Sequence, residues 1–162
     1  MKKTIFITGL LLSGFLFGTA QAQLRVSLRA NIGVQPVWGP TGYDHVDYYY
    51  LPDIDSYYDV QARQYVYQEH GRWVRGNSLP ARYHNYDVYK GYKIVVNDPY
   101  PYHHAEAYRK KYSEFKGRHN REMIRDSRES KYFENKDHPE HNKWEKDHKR
   151  QNDDHDNRKT KS

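Results

Sequence analysis

Hydrophobic and polar residues alternate one for one between Leu24 and Gln35. Each of six apolar residues there is followed by a polar residue or a glycine. This is the period of two expected of a strand with one buried and one solvated face. The six are Leu24, Val26, Leu28, Ala30, Ile32 and Val34. The pattern predicts a β-strand over residues 24–35.

Five shorter runs follow, rich in the Tyr and Val residues that favour strands. Turn residues separate them, and Gly71 suits a hairpin loop because glycine readily adopts a positive φ. The runs are Val46–Leu51, Tyr57–Val60, Arg63–Gln68, Arg72–Arg75 and Tyr92–Asn97. Because no helical period separates them, they predict a mainly β fold: a small antiparallel meander sheet or partial barrel.

A helical period appears only after these runs. Ala105, Tyr108, Tyr112 and Phe115 are spaced at i, i+3, i+7 and i+10, which places them on one stripe of an α-helix. Gly117 is well placed to end that helix. Residues 103–117 are therefore predicted to form a short amphipathic helix whose aromatic face packs on the open side of the sheet.

Charge and apolar content both change near Tyr102. The segment 23–102 has eight basic and eight acidic residues, whereas 103–162 has seventeen basic and thirteen acidic residues and few large apolar ones. A segment with so little apolar surface gains little from burial to offset the entropy lost on ordering. We therefore predict that the core ends near Tyr102. Residues 118–162 are predicted to be a charged, partly helical or disordered tail, solvated from Asn135 onward.

The N-terminal run has the features of a secretory signal. Lys2 and Lys3 precede an apolar stretch, Ile5–Phe17, and the triplet Ala20–Ala22 has the small-x-small pattern of a cleavage site. About 13 residues rise roughly 20 Å as a helix, which is too short for a hydrocarbon core of about 30 Å. We predict a cleavable signal over 1–22, a small β domain over 23–102 and no transmembrane segment after cleavage. An uncleaved anchor is the less favoured alternative.

The β-rich region also resembles a known group of proteins. Its tyrosine-rich strand runs are followed by a glycine–arginine–tryptophan triplet and a leucine–proline pair. The residues concerned are Tyr48–Ile54, Tyr57–Asp59, Gln64–Tyr67, Gly71–Trp73, Leu79-Pro80 and Tyr92–Asp98. Over roughly Trp38–Tyr102 the chain resembles small exported, tyrosine-rich proteins of Bacteroidetes-type bacteria that have no assigned activity. The resemblance implies export to the periplasm or beyond, and it assigns no functional residue.

Composition and motifs argue against enzymatic activity. The chain has no cysteine, which excludes disulfides, thiolate metal sites and a cysteine nucleophile. No serine of the β domain lies in a Gly-x-Ser-x-Gly turn, and no phosphate-binding or dinucleotide-binding loop is present. We therefore expect neither catalysis nor a cofactor.

The 17 tyrosines have two interpretations. Tyr favours strands and fills a core while its hydroxyl stays at the wet edge, so most of them are expected to be structural. Alternatively, some rings form an exposed platform that stacks on sugars or a peptide. Because successive side chains of a strand point to opposite faces, adjacent tyrosines cannot all face one core. The candidate platform residues are Tyr49, Tyr57 and Trp73.

The tail is the second candidate site. Its histidines alternate with carboxylates, and both groups are ligands of Zn²⁺, Cu²⁺ or Ni²⁺. The candidate ligands are His138, His141, His148 and His155. The basic surplus of the tail also suits weak, salt-sensitive attachment to polyanions. Simple solvation of the tail is the alternative interpretation of both features.

Taken together, these features predict an exported, non-enzymatic binding or structural module associated with the cell envelope, in the periplasm or outside the cell. Its partner would be an envelope glycan, a peptide or an anionic surface, since export argues against genomic nucleic acid. The alternative is a tail-mediated metal or polyanion binder. The sequence leaves the ligand and the oligomeric state open.

The predicted cleavage site can be tested directly. We expect the protein isolated from an exporting Gram-negative host to begin at Gln23, because Ala20 and Ala22 supply the small residues that signal peptidase requires. N-terminal peptide mass spectrometry measures this. Ala22→Asp is expected to leave the uncleaved precursor, and Gln21→Asn, in the variable middle position, to be processed normally. A mature protein that retains residues 1–22 would contradict the prediction.

Overall fold

Five antiparallel strands form one open sheet. The computed structural model describes residues 29–119 and 122–159, with side chains described through Asn152. The strands are β1 Tyr48–Leu51, β2 Ser56–Asp59, β3 Gln64–Glu69, β4 Arg72–Gly76 and β5 Ile94–Val96. Their order is β4-β3-β2-β1-β5, so the first four form the predicted meander and the last joins β1 on its other side. The sheet does not close into a barrel, because β4 and β5 are its two edges.

The β3–β4 hairpin shows how local chemistry sets the register. Glu69 pairs with Arg72, which leaves a loop of two residues. Those residues, His70 and Gly71, have φ of +49° and +74°. Two positive φ angles give a loop whose twist matches that of the flanking strands. The predicted positive φ at Gly71 is confirmed.

One face of the sheet is buried by the helical segment that follows β5. This segment, the helical cover, comprises a 3₁₀ turn at Pro101–His104, helix α1 at Ala105–Lys111 and a 3₁₀ turn at Ser113–Phe115. The ring of Tyr108 lies 5.9 Å from that of Tyr50 on β1. Phe115 lies 4.7 Å from Tyr92. The predicted helix and its packing on the sheet are confirmed.

The opposite face is buried by the chain before β1 and by the connection between β4 and β5, which includes a 3₁₀ turn at Ala81–Tyr83. Alternation along β1 sends Tyr48 and Tyr50 to the helical cover, and Tyr49 and Leu51 to this second side. The inner strands β1 and β2 are therefore buried on both faces, whereas β4 has no buried residue. The buried apolar residues of the second side are Trp38, Val46, Tyr49, Leu51, Ile54 and Val60.

The predicted strand over 24–35 is wrong where the structure describes it, because Ile32–Val34 forms a 3₁₀ turn. The neighbouring Asn31 explains this difference. Its side-chain amide donates to the carbonyl of Val46 at 2.7 Å, and its side-chain oxygen accepts from the Val46 amide at 2.9 Å. The chain is fixed here by a polar side chain instead of a strand ladder. The remaining residues, 24–28, lie outside the described ranges, as does the predicted signal.

The buried part of the molecule extends past Tyr102, so the predicted end of the core is also wrong. Ile124 and Tyr132 lie in two further 3₁₀ turns, Ile124–Asp126 and Ser130–Glu134, and both are fully buried against Ile32. Asn135 is buried as well, and its amide donates to the carbonyl of Ile32 at 3.1 Å. Part of the charged tail therefore belongs to the folded unit.

The second helix, α2, spans His141–Lys159. Its first turns lie against the 3₁₀ turn that contains Phe133, and most of its described side chains are exposed. None of the helices in the described ranges combines the length and apolar character needed to span a bilayer.

The buried cluster of Ile32, Ile124 and Tyr132 leads to a prediction about stability. Ile124→Ala is expected to lower the free energy of unfolding by about 2–4 kcal/mol, because it removes buried methylene groups and leaves a cavity. Chemical denaturation of the mature chain measures this change. Val34, which is 38% exposed, provides the control: Val34→Ala should cost less than about 1 kcal/mol. Equal losses in the two variants would show that the turn around Ile124 is not packed on the domain in solution.

Candidate functional site

Two of the three predicted platform residues are core residues. Tyr49 and Tyr57 have no exposed surface and lie on opposite faces of the sheet. The Tyr49 hydroxyl donates to the buried side chain of Gln35 at 2.9 Å. Burial raises the pKa of both tyrosines. They cannot form an exposed platform together, and the prediction is wrong for them because both faces of the sheet are covered.

Trp73, the third predicted residue, is half-buried and belongs to a continuous group of rings at the edge of the core, in which Tyr100 and His103 are exposed and Tyr102 is buried. We define the aromatic ridge as Trp73, Tyr100, Tyr102 and His103. The centres of the Trp73 and Tyr102 rings are 5.7 Å apart. The centres of the Tyr102 and His103 rings are 4.9 Å apart, in an edge-to-face arrangement. The Tyr100 ring stacks on His103 at 5.7 Å with an interplanar angle of 19°.

An ion pair between a buried carboxylate and a partly exposed guanidinium holds the aromatic ridge to the sheet. On β4, Arg75 donates to the carboxylate of Asp59 at 2.7 Å and to the hydroxyl of Tyr102 at 3.3 Å. Asp59 is only 8% exposed, and its other carboxylate oxygen accepts from the amide of Ala62. The hydrogen bond to Asp59 is the main reason that the pKa of Arg75 is raised. The guanidinium therefore remains charged and fixes the position of Tyr102.

Two open grooves flank the aromatic ridge. The strand-end groove, of about 530 Å³, lies where β1 begins and where β2 and β5 end. The cover-side groove, of about 630 Å³, lies between the β3–β4 hairpin and the helical cover. The strand-end groove is lined by Asp47, Tyr48, Asp59, Gln61, Arg75, Asn97, Pro99 and Tyr100. The cover-side groove is lined by Gln68, Trp73, Tyr102, His103, His104, Ala105, Glu106, Ala107 and Arg109.

Tyr100 has an unusual backbone and an unusual exposure. Its φ and ψ are +52° and +53°, the left-handed region that disfavours side chains with a Cβ. It lies between Pro99 and Pro101, and a residue before proline normally prefers an extended conformation. Its ring is 56% exposed, the largest value among the exposed large hydrophobic residues of the described ranges. A large ring is thus displayed to solvent from a costly backbone conformation.

The arrangement suits recognition of a ligand that has both flat apolar faces and hydroxyl groups. The aromatic rings offer stacking surfaces. Asp47 and Asn97 lie beside them in the strand-end groove, where the side-chain oxygen of Asn97 accepts from the amide of Asp47 at 2.9 Å. Carboxylates and amides are the acceptors and donors that orient polar ligands in such clefts.

Tyr100, Tyr102 and Arg75 are not among the site residues predicted from the sequence. One local signal was present, because Tyr100 and Tyr102 alternate with prolines directly after the last strand, in the run 98–102. The pairing of Arg75 with Asp59 depends on the register of β2, β3 and β4, which places them on one face. No spacing along the chain indicates it.

The predicted metal ligands are held by other contacts. Both ring nitrogens of His138 are hydrogen-bonded to backbone groups, those of Ser127 and Glu140. Nδ1 of His141 bonds the carbonyl of Phe133, and Nδ1 of His148 bonds that of Trp144. The side chain of His155 lies outside the described part. Among the residues that the structure describes, no three His, Cys, Asp or Glu side chains are grouped so that they could hold a metal ion.

Lys93 is a buried cation away from the aromatic ridge. It is 2% exposed, and its Nζ donates to the carbonyl of Tyr89 at 3.3 Å. Burial lowers its pKa to about 8, and the carboxylates of Asp87 and Asp53 partly oppose that shift. In the unfolded chain a lysine has a pKa of about 10.4. The stabilisation linked to this difference is therefore complete above pH 10.4 and is lost as the pH falls to about 8.

Lys93 thus predicts the pH dependence of stability. Between pH 8 and 9, where only about a tenth of unfolded tyrosine is ionised, we expect Lys93 to raise the free energy of unfolding by about 1 kcal/mol. Urea denaturation at several pH values measures this rise. Lys93→Met should abolish it, whereas the exposed Lys90→Met should retain it. A rise of the same size in Lys93→Met would assign the titration to another group.

Comparison with protein-family models, with curated proteins and with solved structures finds no match to the chain. The aromatic ridge and its two grooves therefore have to be interpreted from their own chemistry.

Proposed function

We propose that this protein is an exported, non-enzymatic binding module of the cell envelope, and that it binds a glycan at the aromatic ridge. Export is supported by the features of residues 1–22 and by the resemblance to exported tyrosine-rich proteins. The binding role is supported by the exposed rings and by the grooves on both sides of them. The function remains that predicted from the sequence, but its exposed rings are those of Tyr100 and His103 and not those of the buried Tyr49 and Tyr57.

The observation that carries this proposal is the conformation of Tyr100. A non-glycine residue in the left-handed region costs about 1–2 kcal/mol, and Tyr100 recovers little of that cost, because more than half of its surface is exposed. Its described contacts are the stack on His103, an edge contact with the Tyr102 ring at 6.2 Å and a hydrogen bond from the His103 amide to its carbonyl at 3.0 Å. Strained residues that the surrounding structure maintains are concentrated at ligand sites. An aromatic ring presented in this way is well suited to stack on the flat face of a sugar.

The shape of the site favours a glycan over an extended peptide. Peptides that add to a sheet follow an edge strand and use its free backbone groups. The strand-end groove instead crosses the ends of β1, β2 and β5, and Asp47, Asp59 and Asn97 each come from a different segment. Such a groove provides hydrogen-bonding side chains in several directions and no continuous backbone ladder. This matches a ligand with hydroxyl groups around each ring.

The alternative, a tail-mediated metal or polyanion binder, remains a separate hypothesis. In the described part of α2, basic and acidic residues are interleaved, such as Lys143 and Glu145 or Lys149 and Asp147. Because the opposite charges partly cancel, the electrostatic field of the helix is weak beyond a Debye length. Attachment through the tail would be lost at high salt and would not depend on Tyr100. These two properties separate it from the proposed function.

The proposal predicts that Tyr100→Asn weakens glycan binding by about tenfold, the equivalent of about 1.4 kcal/mol, because stacking on the ring is lost. The probes are two length-fractionated series, peptidoglycan glycan strands and lipopolysaccharide O-chains, titrated calorimetrically against the mature protein. Stability should change by less than about 1 kcal/mol, since asparagine tolerates the left-handed conformation.

The matched control is Tyr43→Asn. Tyr43 is 44% exposed, lies outside both grooves and has no positive φ, so its replacement should leave glycan affinity unchanged. Failure of every length of both glycans to bind the wild-type protein would refute the proposed function. Equal losses of glycan affinity in the two variants would show that exposed tyrosines bind glycans non-specifically and that the aromatic ridge is not the site.

A further inference from the structure

We propose that the ligand is a linear chain that crosses the aromatic ridge and occupies both grooves, and not a single sugar held in one of them. This inference rests on the proposed function, because it specifies the class of glycan that the same site takes. It follows from the wall between the two grooves, from the different chemistry of their linings and from the way each groove opens to solvent.

The two grooves share a wall that is two side chains thick. Arg75 lines the strand-end groove and donates to the hydroxyl of Tyr102, which lines the cover-side groove. In the same way, Tyr100 lines the strand-end groove and stacks on His103, which lines the cover-side groove. A ligand that leaves one groove over this wall therefore enters the other directly.

Two exposed rings form part of the surface of the wall, beside the partly exposed guanidinium of Arg75. Tyr100 is 56% exposed, and His103 behind it is exposed as well. The two rings are nearly parallel, with an interplanar angle of 19°. A sugar at this position can stack on a ring, while its neighbours on both sides descend into the grooves. A flat ring at the crossing point favours a chain of rings joined end to end over a branched or compact ligand.

Each groove has its own set of polar side chains. The strand-end groove contains the carboxylates of Asp47 and Asp59 and the guanidinium of Arg75. The cover-side groove contains His104, Glu106 and Arg109, and two nitrogens of Arg109 donate to one carboxylate oxygen of Asp55 at 2.6 and 2.9 Å. Neither groove repeats the other, so the two do not act as alternative sites for one small sugar. They act as successive subsites of one chain.

Two subsites on one rigid body make affinity depend on chain length. A fragment that fills one groove gains the contacts of that groove alone. A longer chain also contacts the second groove, without a second loss of translational and rotational entropy. The affinity should therefore rise with length until the chain spans the wall and then reach a plateau. A single-subsite protein would instead show the same affinity for every length.

The experiment uses the two length series described above with the full mature protein. Between the shortest bound fragment and the plateau, affinity should rise at least about tenfold. Two variants each block one groove with a bulky side chain on an exposed residue: Gln61→Trp in the strand-end groove and Ala107→Trp in the cover-side groove. Each should lower long-chain affinity to about that of the shortest fragment. The control is Lys110→Trp, on α1 outside both grooves.

The outcomes separate the two proposals. Binding that is equal at all lengths and is lost in Tyr100→Asn would keep the proposed function and overturn the two-groove inference. Loss of long-chain binding in only one of the groove-blocking variants would also overturn it, since the chain would then occupy a single groove. Absence of binding at every length would remove the proposed function itself. A ligand-induced change in tryptophan fluorescence that is lost in Trp73→Phe and kept in Trp144→Phe provides an independent readout of entry into the cover-side groove, which Trp73 lines.

Discussion

The packing of tyrosine rings between the sheet and the helical cover is the contact on which the rest of the structure depends. Tyr50 and Tyr57 pair across β1 and β2 with their rings 4.9 Å apart, and Tyr108 lies 6.0 Å from Tyr57 on the other side. Aromatic side chains bury 150–250 Å² each, so a few of them can replace the aliphatic residues that a short sheet lacks. The chain has no disulfide to assist, and this packing carries the stability of that face.

The same packing positions the candidate site. Tyr102 is the first large ring of the helical cover, and it contacts Tyr48 and Tyr57 of the sheet below as well as Trp73 beside it. Arg75 on β4 also donates a hydrogen bond to its hydroxyl, so both the ring and the hydroxyl of Tyr102 are fixed by the sheet. The aromatic ridge is therefore the rigid outer edge of the core. A ligand that binds there meets preorganised side chains, which lowers the entropy lost on binding.

Local pattern predicted most of the secondary structure. The five strands after Val46 and the aromatic stripe from Ala105 to Phe115 are predictable because strands and helices repeat their hydrophobic residues with periods of two and of 3.6. These periods can be recognised in the sequence without knowledge of tertiary contacts. The same rule failed at Ile32–Val34, where the Asn31 side chain replaces a strand ladder. The platform prediction failed for a different reason. Alternation shows that Tyr49 and Tyr50 face opposite ways, but it does not show whether the second face of a sheet is covered.

The site was harder to predict than the fold because its parts meet only through strand register. Asp59, Arg75 and Tyr102 are separated by 16 and 27 positions, and no periodic signal links them. What the sequence does carry is the run of prolines around Tyr100, which restricts the backbone on both sides of a displayed ring. Among the large hydrophobic residues of the described ranges, Tyr100 is the most exposed, and it is the exposed tyrosine with a left-handed backbone. That residue, and not the abundance of tyrosine, is the argument for recognition.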